Sequence, residues 1–133
     1  YPNEEVLLED IRKRQSYVAE EGRRLIGTAV LSLEKESTYE KIEKGEWLTG
    51  QEADYLVIHR IATHSDYKRH GTAGYFLKKA EELAREHGVG SIRIDTHPDN
   101  KIMQSWLKKN GLSYCGWIWL VNKDLRYAYE KLL

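Results

Sequence analysis

This chain of 133 residues lacks the features that mark secreted or nucleic-acid-binding proteins. It has one cysteine, so it can form neither an internal disulfide bond nor a cysteine-based metal cluster, and a reducing cytoplasm is the expected compartment. Its 21 basic residues balance 21 acidic residues. A formal net charge of zero gives no electrostatic case for binding nucleic acid or an acidic membrane.

Long apolar runs are missing as well. No stretch approaches the roughly 20 apolar residues that a membrane-spanning helix needs. The first ten residues, YPNEEVLLED, lack the basic and apolar regions of a signal peptide. Internal repeats and low-complexity segments are also absent from the sequence. A hydrophobic content of 41% is enough for one core, so we expect residues 1–133 to form a single domain.

The most informative segment runs from residue 55 to residue 74, YLVIHRIATHSDYKRHGTAG. Residues 55–62 are mostly β-branched or large and apolar and lead into a polar cluster, which is typical of a strand that enters a loop. Residues 73–87 are predicted to form a helix, because apolar residues recur on one helical stripe and a glycine follows. The basic, glycine-bearing residues between strand and helix therefore suit a bound phosphate, and an ordinary strand-to-helix turn is the alternative. The predicted stripe contains Phe76, Ala80, Leu83, Ala84 and His87.

Other patterns predict the remaining elements. Residues 17–22 and 24–33 read as one hairpin, and two β-rich runs around residues 122–124 read as another. Residues 91–96 favour a strand, and residues 99–110 favour a second helix closed by a glycine. Residues 34–52 either continue the sheet or loop over a pocket. We therefore expect an α+β fold in which a mixed, mostly antiparallel twisted sheet is flanked by helices.

These residues resemble a known family. The run Lys68-Arg69-His70-Gly71-Thr72-Ala73 is similar to the Q/R-x-x-G-x-G/A pyrophosphate signature of the GNAT N-acetyltransferases, with lysine in the usual Gln/Arg position. That family moves an acetyl group from acetyl-CoA to an amine. The chain from about Tyr17 onward also resembles the family in the order of its elements, and it is most similar to small bacterial members with IRIDTH, MQ and YCG. The resemblance implies the GNAT-like acyl-CoA N-acyltransferase fold.

The resemblance also implies how acetyl-CoA is held. The backbone N–H groups of Ile61, Ala62 and Thr63, at the end of the family's fourth strand, would align the thioester. Asn100 would contact the CoA arm, although capping of the following helix is its ordinary alternative. The pyrophosphate would be held by Lys68, Arg69, His70, Gly71, Thr72, Ala73 and Gly74.

The catalytic residues are less clear from the family pattern. The usual general acid is a tyrosine seven residues after the asparagine, and here that position is Leu107. Tyr114 is a substitute candidate, and water is the alternative proton donor. The glutamate base of the histone-acetylating branch falls at Val57, while His59 lies on the same strand face and suits a base that acts through water. A hydrogen-bonded core histidine is the alternative for His59.

Several other polar residues have ordinary explanations. Asp95, Thr96 and His97 end the predicted strand, where polar side chains serve turns and helix caps. The spacing of His64 and His97 matches no standard ligand set, so we expect no metal. Cys115 fits a small buried apolar residue better than an acyl-carrying nucleophile.

The predicted function is direct transfer of an acetyl group from acetyl-CoA to a primary amine on a small molecule or peptide. A catalytically degenerate CoA-binding regulatory or interaction module is the alternative, because the helix tyrosine is missing. A domain that binds another phosphate ligand is a third hypothesis. Part of the family's N-terminal region is expected to be absent, since residues 1–16 offer one short helix, at residues 6–11. Trp117 and Trp119 share a strand face that would suit a homodimer contact.

Overall fold

Six strands form a single mixed sheet in the computed structural model, which describes residues 14–21, 24–63 and 72–133. The strand order is β1-β2-β3-β4-β6-β5, and β3 and β4 run parallel while the other neighbouring strands run antiparallel. The strands are β1 (Arg14–Glu21), β2 (Arg24–Ser32), β3 (Leu56–Thr63), β4 (Ser91–Thr96), β5 (Ser113–Trp119) and β6 (Leu125–Leu132), and the helices are α1 (Thr72–Glu86) and α2 (Lys101–Lys109).

The predicted α+β fold is confirmed. Both hairpins are present, with β1 paired to β2 and β5 paired to β6, and both helices begin and end within two residues of the predicted bounds. The predicted helix stripe is wrong at His87, which is exposed because it follows the last residue of α1. Its ring Nδ1 lies 3.0 Å from the carbonyl oxygen of Leu83. The short helix predicted at residues 6–11 lies outside the described residues.

Both helices pack on one face of the sheet. Leu56 and Ile58 point towards this face from β3, as Ile92 and Ile94 do from β4, because alternate strand residues share a face. Removal of this apolar surface from water contributes roughly 25 cal/mol per Å² to folding. The buried residues of this face are Ala29, Leu31, Leu56, Ile58, Phe76, Leu77, Ala80, Leu83, Ala84, Ile92, Ile94, Leu107, Leu112 and Tyr129.

Residues 33–55, here called the covering segment, cover the opposite face. The segment contains a short 3-10 helix (Ser37–Tyr39), and Glu43 forms an isolated antiparallel bridge with Trp117 of β5. Residues 34–52 were expected either to continue the sheet or to loop over a pocket. The first of these predictions is wrong, because the bridge at Glu43 is the one strand-like pairing that the structure gives for this described segment. The buried residues of this face are Tyr39, Trp47, Tyr55, Val57, Cys115, Ile118 and Ala128.

A buried ion pair anchors the covering segment. Arg93 Nε donates to Glu130 Oε2 over 3.0 Å, and the two side chains are 2% and 0% exposed. The Arg93 guanidinium also lies between the rings of Trp47 and Tyr55, 4.2 and 4.1 Å from their centroids. Burial by itself would raise the pKa of Glu130, but hydrogen bonds from Thr49 and Arg93 outweigh it and lower that pKa. The segment is thereby fixed over β4 and β6.

Candidate active site

β3 and β4 separate part of the way along their length. Among the described residues their pairing consists of Leu56 with Ile92 and Val57 with Arg93, yet β3 continues to Thr63 alongside β2. Beyond Val57 the β4-facing edge of β3 therefore borders a gap between the two strands. The backbone of residues 61–63, predicted to align the thioester, lies along this part of β3.

β3 also contains a bulge at this level. Thr28 of β2 is paired with Ala62, but Val30 is paired with His59, so β3 has one more residue than β2 between the two pairs. A bulge bends the strand and re-aims its side chains and backbone groups, and bulges are common beside active sites. The bulge comprises residues 60 and 61, so it directly follows His59 and includes Ile61, the first of the predicted thioester-aligning residues.

The loop predicted to hold the pyrophosphate falls mainly outside the described part of the chain. Lys68, Arg69, His70 and Gly71 lie there, whereas Thr72, Ala73 and Gly74 form the beginning of α1. The first turn of α1 contains no acidic residue, so its positive dipole end is not compensated there. A Cβ added at Gly74 would meet no atom within 4 Å. The described residues at the beginning of α1 thus include no acidic side chain that would oppose an anion.

A polar cluster lies at the gap, on the face that the covering segment covers. His59 Nε2 is 2.7 Å from Glu36 Oε1, with the two side chains 22% and 20% exposed. The Tyr39 hydroxyl donates to Asp95 Oδ2 over 2.6 Å. His59 and Asp95 each follow a paired residue by two positions, Val57 and Arg93 respectively, so they lie at one level on opposite sides of the gap.

Burial sets the protonation of this cluster. Desolvation raises the pKa of Asp95, and the hydrogen bond from Tyr39 and the charges of His59 and Arg126 offset part of this rise. Desolvation, followed by the Asp95 charge, holds the pKa of Tyr39 well above its ordinary value. Tyr39 therefore stays a hydrogen-bond donor at neutral pH.

Tyr114 lies away from this cluster. It is paired with Tyr129 of β6, which is paired with Ile94 of β4, and all three residues belong to the helical side of the sheet. Three strand spacings separate β5 from β3, which is roughly 14 Å at about 4.8 Å per spacing. Burial raises the pKa of Tyr114. The structure thus brings His59 together with Asp95 and does not bring Tyr114 to them.

The polar residues after β4 form local contacts. Asn100 Oδ1 accepts a hydrogen bond from the Met103 backbone N–H over 3.1 Å, so the capping alternative is confirmed, and a contact with CoA stays a prediction. His97 Nδ1 accepts from the Asp99 N–H over 3.0 Å. Among the described residues no group of three or more His, Cys, Asp and Glu side chains could hold a metal ion.

Cys115 behaves as the predicted small buried residue. It is 5% exposed among the aromatic and apolar side chains of the covered face. Burial raises the pKa of its thiol to about 11, so the reactive thiolate form is scarce at neutral pH.

Glu36 and Tyr39 are site residues that sequence reasoning missed. They lie in an irregular segment about 20 residues before β3 and carry no motif or periodic pattern that points to His59 or Asp95. Asp95 was noted in the sequence only as a residue of a strand end. A carboxylate inside the buried SIRIDT strand is the available signal, because an unpaired carboxylate is costly to bury.

Comparisons with known proteins agree with this architecture. The model of the Acetyltransferase (GNAT) family matches residues 1–112, so this chain belongs to the GNAT acetyltransferase family. A crystal structure of a GNAT-family acetyltransferase from Streptococcus agalactiae has 34% identity and a TM-score of 0.74, covering 89% of this chain and 65% of that one. No curated protein sequence matches the chain significantly.

Two further crystal structures are similar. A candidate acetyltransferase from Staphylococcus aureus has 27% identity and a TM-score of 0.65, covering 88% of this chain and 70% of that one. A candidate streptothricin acetyltransferase from Bacillus anthracis, in complex with acetyl coenzyme A, has 18% identity and a TM-score of 0.69, covering 91% and 63%. This chain therefore spans about two thirds of the length of these proteins. No helix in the described part of the chain is long and apolar enough to cross a bilayer.

Proposed function

We propose that this protein transfers the acetyl group of acetyl-CoA directly to the primary amine of a small molecule or peptide. The observation that carries the proposal is the gap between β3 and β4, with the His59–Glu36 contact at its edge. A gap of this kind exposes backbone donors on one strand and leaves space for a thioester beside them. The same edge presents an imidazole that can take the proton of the amine.

Acetyl-CoA would lie with its two ends at different elements. Residues 68–74, from the loop into the first turn of α1, would hold the pyrophosphate through backbone N–H groups and basic side chains. The backbone N–H groups of residues 61–63 would polarise the thioester carbonyl. Asn100 remains a proposed contact for the CoA arm, since its capping role uses its Oδ1 atom.

The reaction would then be a single acyl transfer. The amine nitrogen attacks the thioester carbon, the C–N bond forms and the C–S bond breaks. His59 accepts the proton that leaves the nitrogen, directly or through a water. Backbone N–H groups stabilise the negative charge on the carbonyl oxygen, which is the largest electrostatic contribution in reactions of this type.

The departing thiolate also needs a proton. Water is the donor that the geometry favours, because Tyr114 lies on the opposite sheet face from His59 and roughly 14 Å from β3. The raised pKa of Tyr114 further weakens it as an acid near neutral pH. Tyr114 stays the alternative donor.

The proposed setting is the bacterial cytoplasm, and a homodimer is the proposed assembly. Trp117 and Trp119 support it, because both lie on the edge strand β5 with ring centroids 6.4 Å apart and Trp119 is 42% exposed. Size-exclusion chromatography with light scattering measures the mass directly. A monomer at micromolar concentration would contradict this assembly.

Calorimetric titration of acetyl-CoA and of adenosine 3′,5′-bisphosphate tests the cofactor site. We expect acetyl-CoA to bind much more tightly than the bisphosphate, because the thioester and pantetheine contacts are lost in the fragment. Equal binding would indicate a different phosphate ligand. Gly71→Glu should abolish acetyl-CoA binding without changing the circular dichroism spectrum, since the charge and bulk oppose a pyrophosphate.

A panel of amines, assayed by thiol release and mass spectrometry, tests the transfer. His59→Ala should lower kcat by about 100-fold with little effect on acetyl-CoA affinity, as for loss of a general base. His87→Ala is the matched control, because it removes an exposed histidine at the end of α1. Tight acetyl-CoA binding without turnover of any amine would favour the degenerate CoA-binding module instead.

A further inference from the structure

We propose that Glu36 is a positioning residue for His59: its carboxylate orients the imidazole through a close charge contact and stabilises the cation formed during transfer. This inference rests on the proposed function and adds a residue from the covering segment to it. The contact that supports it is the 2.7 Å distance between His59 Nε2 and Glu36 Oε1.

The location of Glu36 makes this contact unusual. Glu36 occupies the N-cap position of the 3-10 helix Ser37–Tyr39, where a polar side chain often caps the helix. Its side chain makes no capping hydrogen bond and reaches His59 on β3 instead. The carboxylate therefore serves the imidazole in preference to the local backbone.

The main chain of Glu36 is held in place. Its N–H donates to the Tyr55 hydroxyl over 2.8 Å, and the Tyr55 ring lies against the Arg93 guanidinium. Arg93 is itself paired with Glu130. This series of contacts fixes the main chain from which the carboxylate extends, and a supported backbone is a condition for a residue that orients a catalytic group.

Two charged groups near the imidazole come from different elements of the described chain. Glu36 approaches from the covering segment, and Asp95 acts from β4 across the gap, with one of its oxygens bonded to Tyr39. Arg126 of β6 acts on Asp95. Because His59 and Glu36 are each about four-fifths buried, solvent screens their interaction less than it would a surface pair.

The chemistry is balanced without a proton on Glu36. The imidazole accepts the amine proton on its unprotonated ring nitrogen, directly or through a water, and becomes a cation with hydrogens on both nitrogens. The carboxylate of Glu36, with Oε1 2.7 Å from Nε2, lowers the energy of this cation by its opposite charge. The imidazolium then returns its proton to water or to the departing thiolate.

The test compares Glu36→Gln and Glu36→Asp with the parent chain over a pH series. Glu36→Gln should lower kcat/KM for the amine about 10-fold, which is less than the roughly 100-fold expected from loss of the base itself. The acidic limb of the pH–rate profile should move to lower pH, because the cation loses its partner. Acetyl-CoA affinity should stay within twofold, and Glu36→Asp should restore part of the rate.

Glu46→Gln is the matched control, because Glu46 is an exposed carboxylate of the same covering segment. An acidic limb that stays in place in Glu36→Gln would overturn the inference while leaving the transferase intact. Absence of turnover in the parent chain would overturn the proposed function and this inference with it.

Nitrogen-15 NMR of the His59 ring provides a readout independent of turnover. The ring should become a cation at a higher pH in the parent chain than in Glu36→Gln, because a nearby carboxylate favours the charged imidazole. Equal titration midpoints in the two chains would contradict the inference. Circular dichroism identifies a variant that does not fold, and Glu36→Asp, whose shorter side chain moves the carboxylate away from the ring, then provides the comparison and should lower the midpoint in the same direction.

Discussion

The two faces of the sheet are buried by different kinds of side chain. On the helical face, α1 and α2 bury mainly aliphatic side chains from alternate positions of β2, β3 and β4. On the other face, an irregular segment buries aromatic rings around an arginine–glutamate pair and leaves a histidine, two carboxylates and a tyrosine near the gap.

The helical face contributes mainly to stability, whereas the covered face also contributes the polar side chains of the candidate site. Regular helices cover strands well, but their own N–H and C=O groups are used within the helix. An irregular segment still has polar groups available and can place side chains such as Glu36 beside a strand. The cost is that it needs anchors of its own, which Arg93 and Glu130 supply.

The largest expected effect is on that anchor. Arg93→Ala should lower the free energy of unfolding by about 3–5 kcal/mol, because it leaves Glu130 buried without its partner. It should also weaken amine turnover, since the covering segment that carries Glu36 loses its support. Urea unfolding followed by fluorescence measures the first effect and the thiol-release assay the second.

Arg85→Ala is the matched control, since Arg85 is 62% exposed and 3.9 Å from Glu81 on the same helix. This variant should lower the free energy of unfolding by less than about 0.5 kcal/mol. Equal losses of unfolding free energy in the two arginine variants would contradict the role of Arg93 as an anchor, because the buried pair would then stabilise the fold no more than a surface pair.

A smaller effect is expected where the covering segment meets β5. A Cβ at Gly116 would lie 2.5 Å from the carbonyl oxygen of Glu43, and the φ of Gly116 is 151°. Gly116→Ala should therefore cost about 1–3 kcal/mol of stability through backbone strain and displacement of the segment. Calorimetric melting temperatures measure it. Gly90→Ala, whose Cβ would meet nothing within 4 Å, should change stability by less than about 1 kcal/mol.

The smallest effects are opposite pH dependences of two carboxyl groups. Because the pKa of Asp95 is raised in the folded protein, this group stabilises the fold at pH values below the ordinary pKa of an aspartate. That contribution is lost as the pH rises through the raised pKa. Because the pKa of Glu130 is lowered in the folded protein, this group stabilises the fold at pH values above the ordinary pKa of a glutamate. That contribution is lost as the pH falls through the lowered pKa.

Relative to that of the parent chain, the free energy of unfolding of Asp95→Asn should therefore increase as the pH rises from about 3 to about 7. That of Glu130→Gln should decrease over the same rise in pH. Urea midpoints at both ends of the range measure the two trends. Trends of the same sign would contradict the assignment of one carboxyl group to the gap and the other to the anchor.

The helical face was predictable because its signals are periodic. Alternation along β3 and β4 and the 3.6-residue stripe of α1 each specify a buried side, and glycine after each helix marks its end. The assignment of residues 68–71 to a pyrophosphate loop stays a prediction, because these residues lie outside the described part of the chain. His87 was misassigned because the apolar periodicity extends one residue past the helix that forms.

The covered face could not be predicted in the same way. Nothing near residues 34–52 in the sequence indicates that Arg93 lies between Trp47 and Tyr55, because these contacts join residues about 40 positions apart in the chain. The partner of His59 comes from the same segment. Such contacts depend on how a loop packs, which a local pattern does not record.

By itself, the sequence determined the helices, the hairpins, the apolar face and the family resemblance, since each depends on local residue spacing. The tertiary structure alone decided that β3 and β4 separate beyond Val57 and that Asp95 lies level with His59. It also decided which carboxylate reaches the imidazole. The physical reason is that strand register and loop packing bring distant residues together by burying shared surface, and this depends on the whole chain.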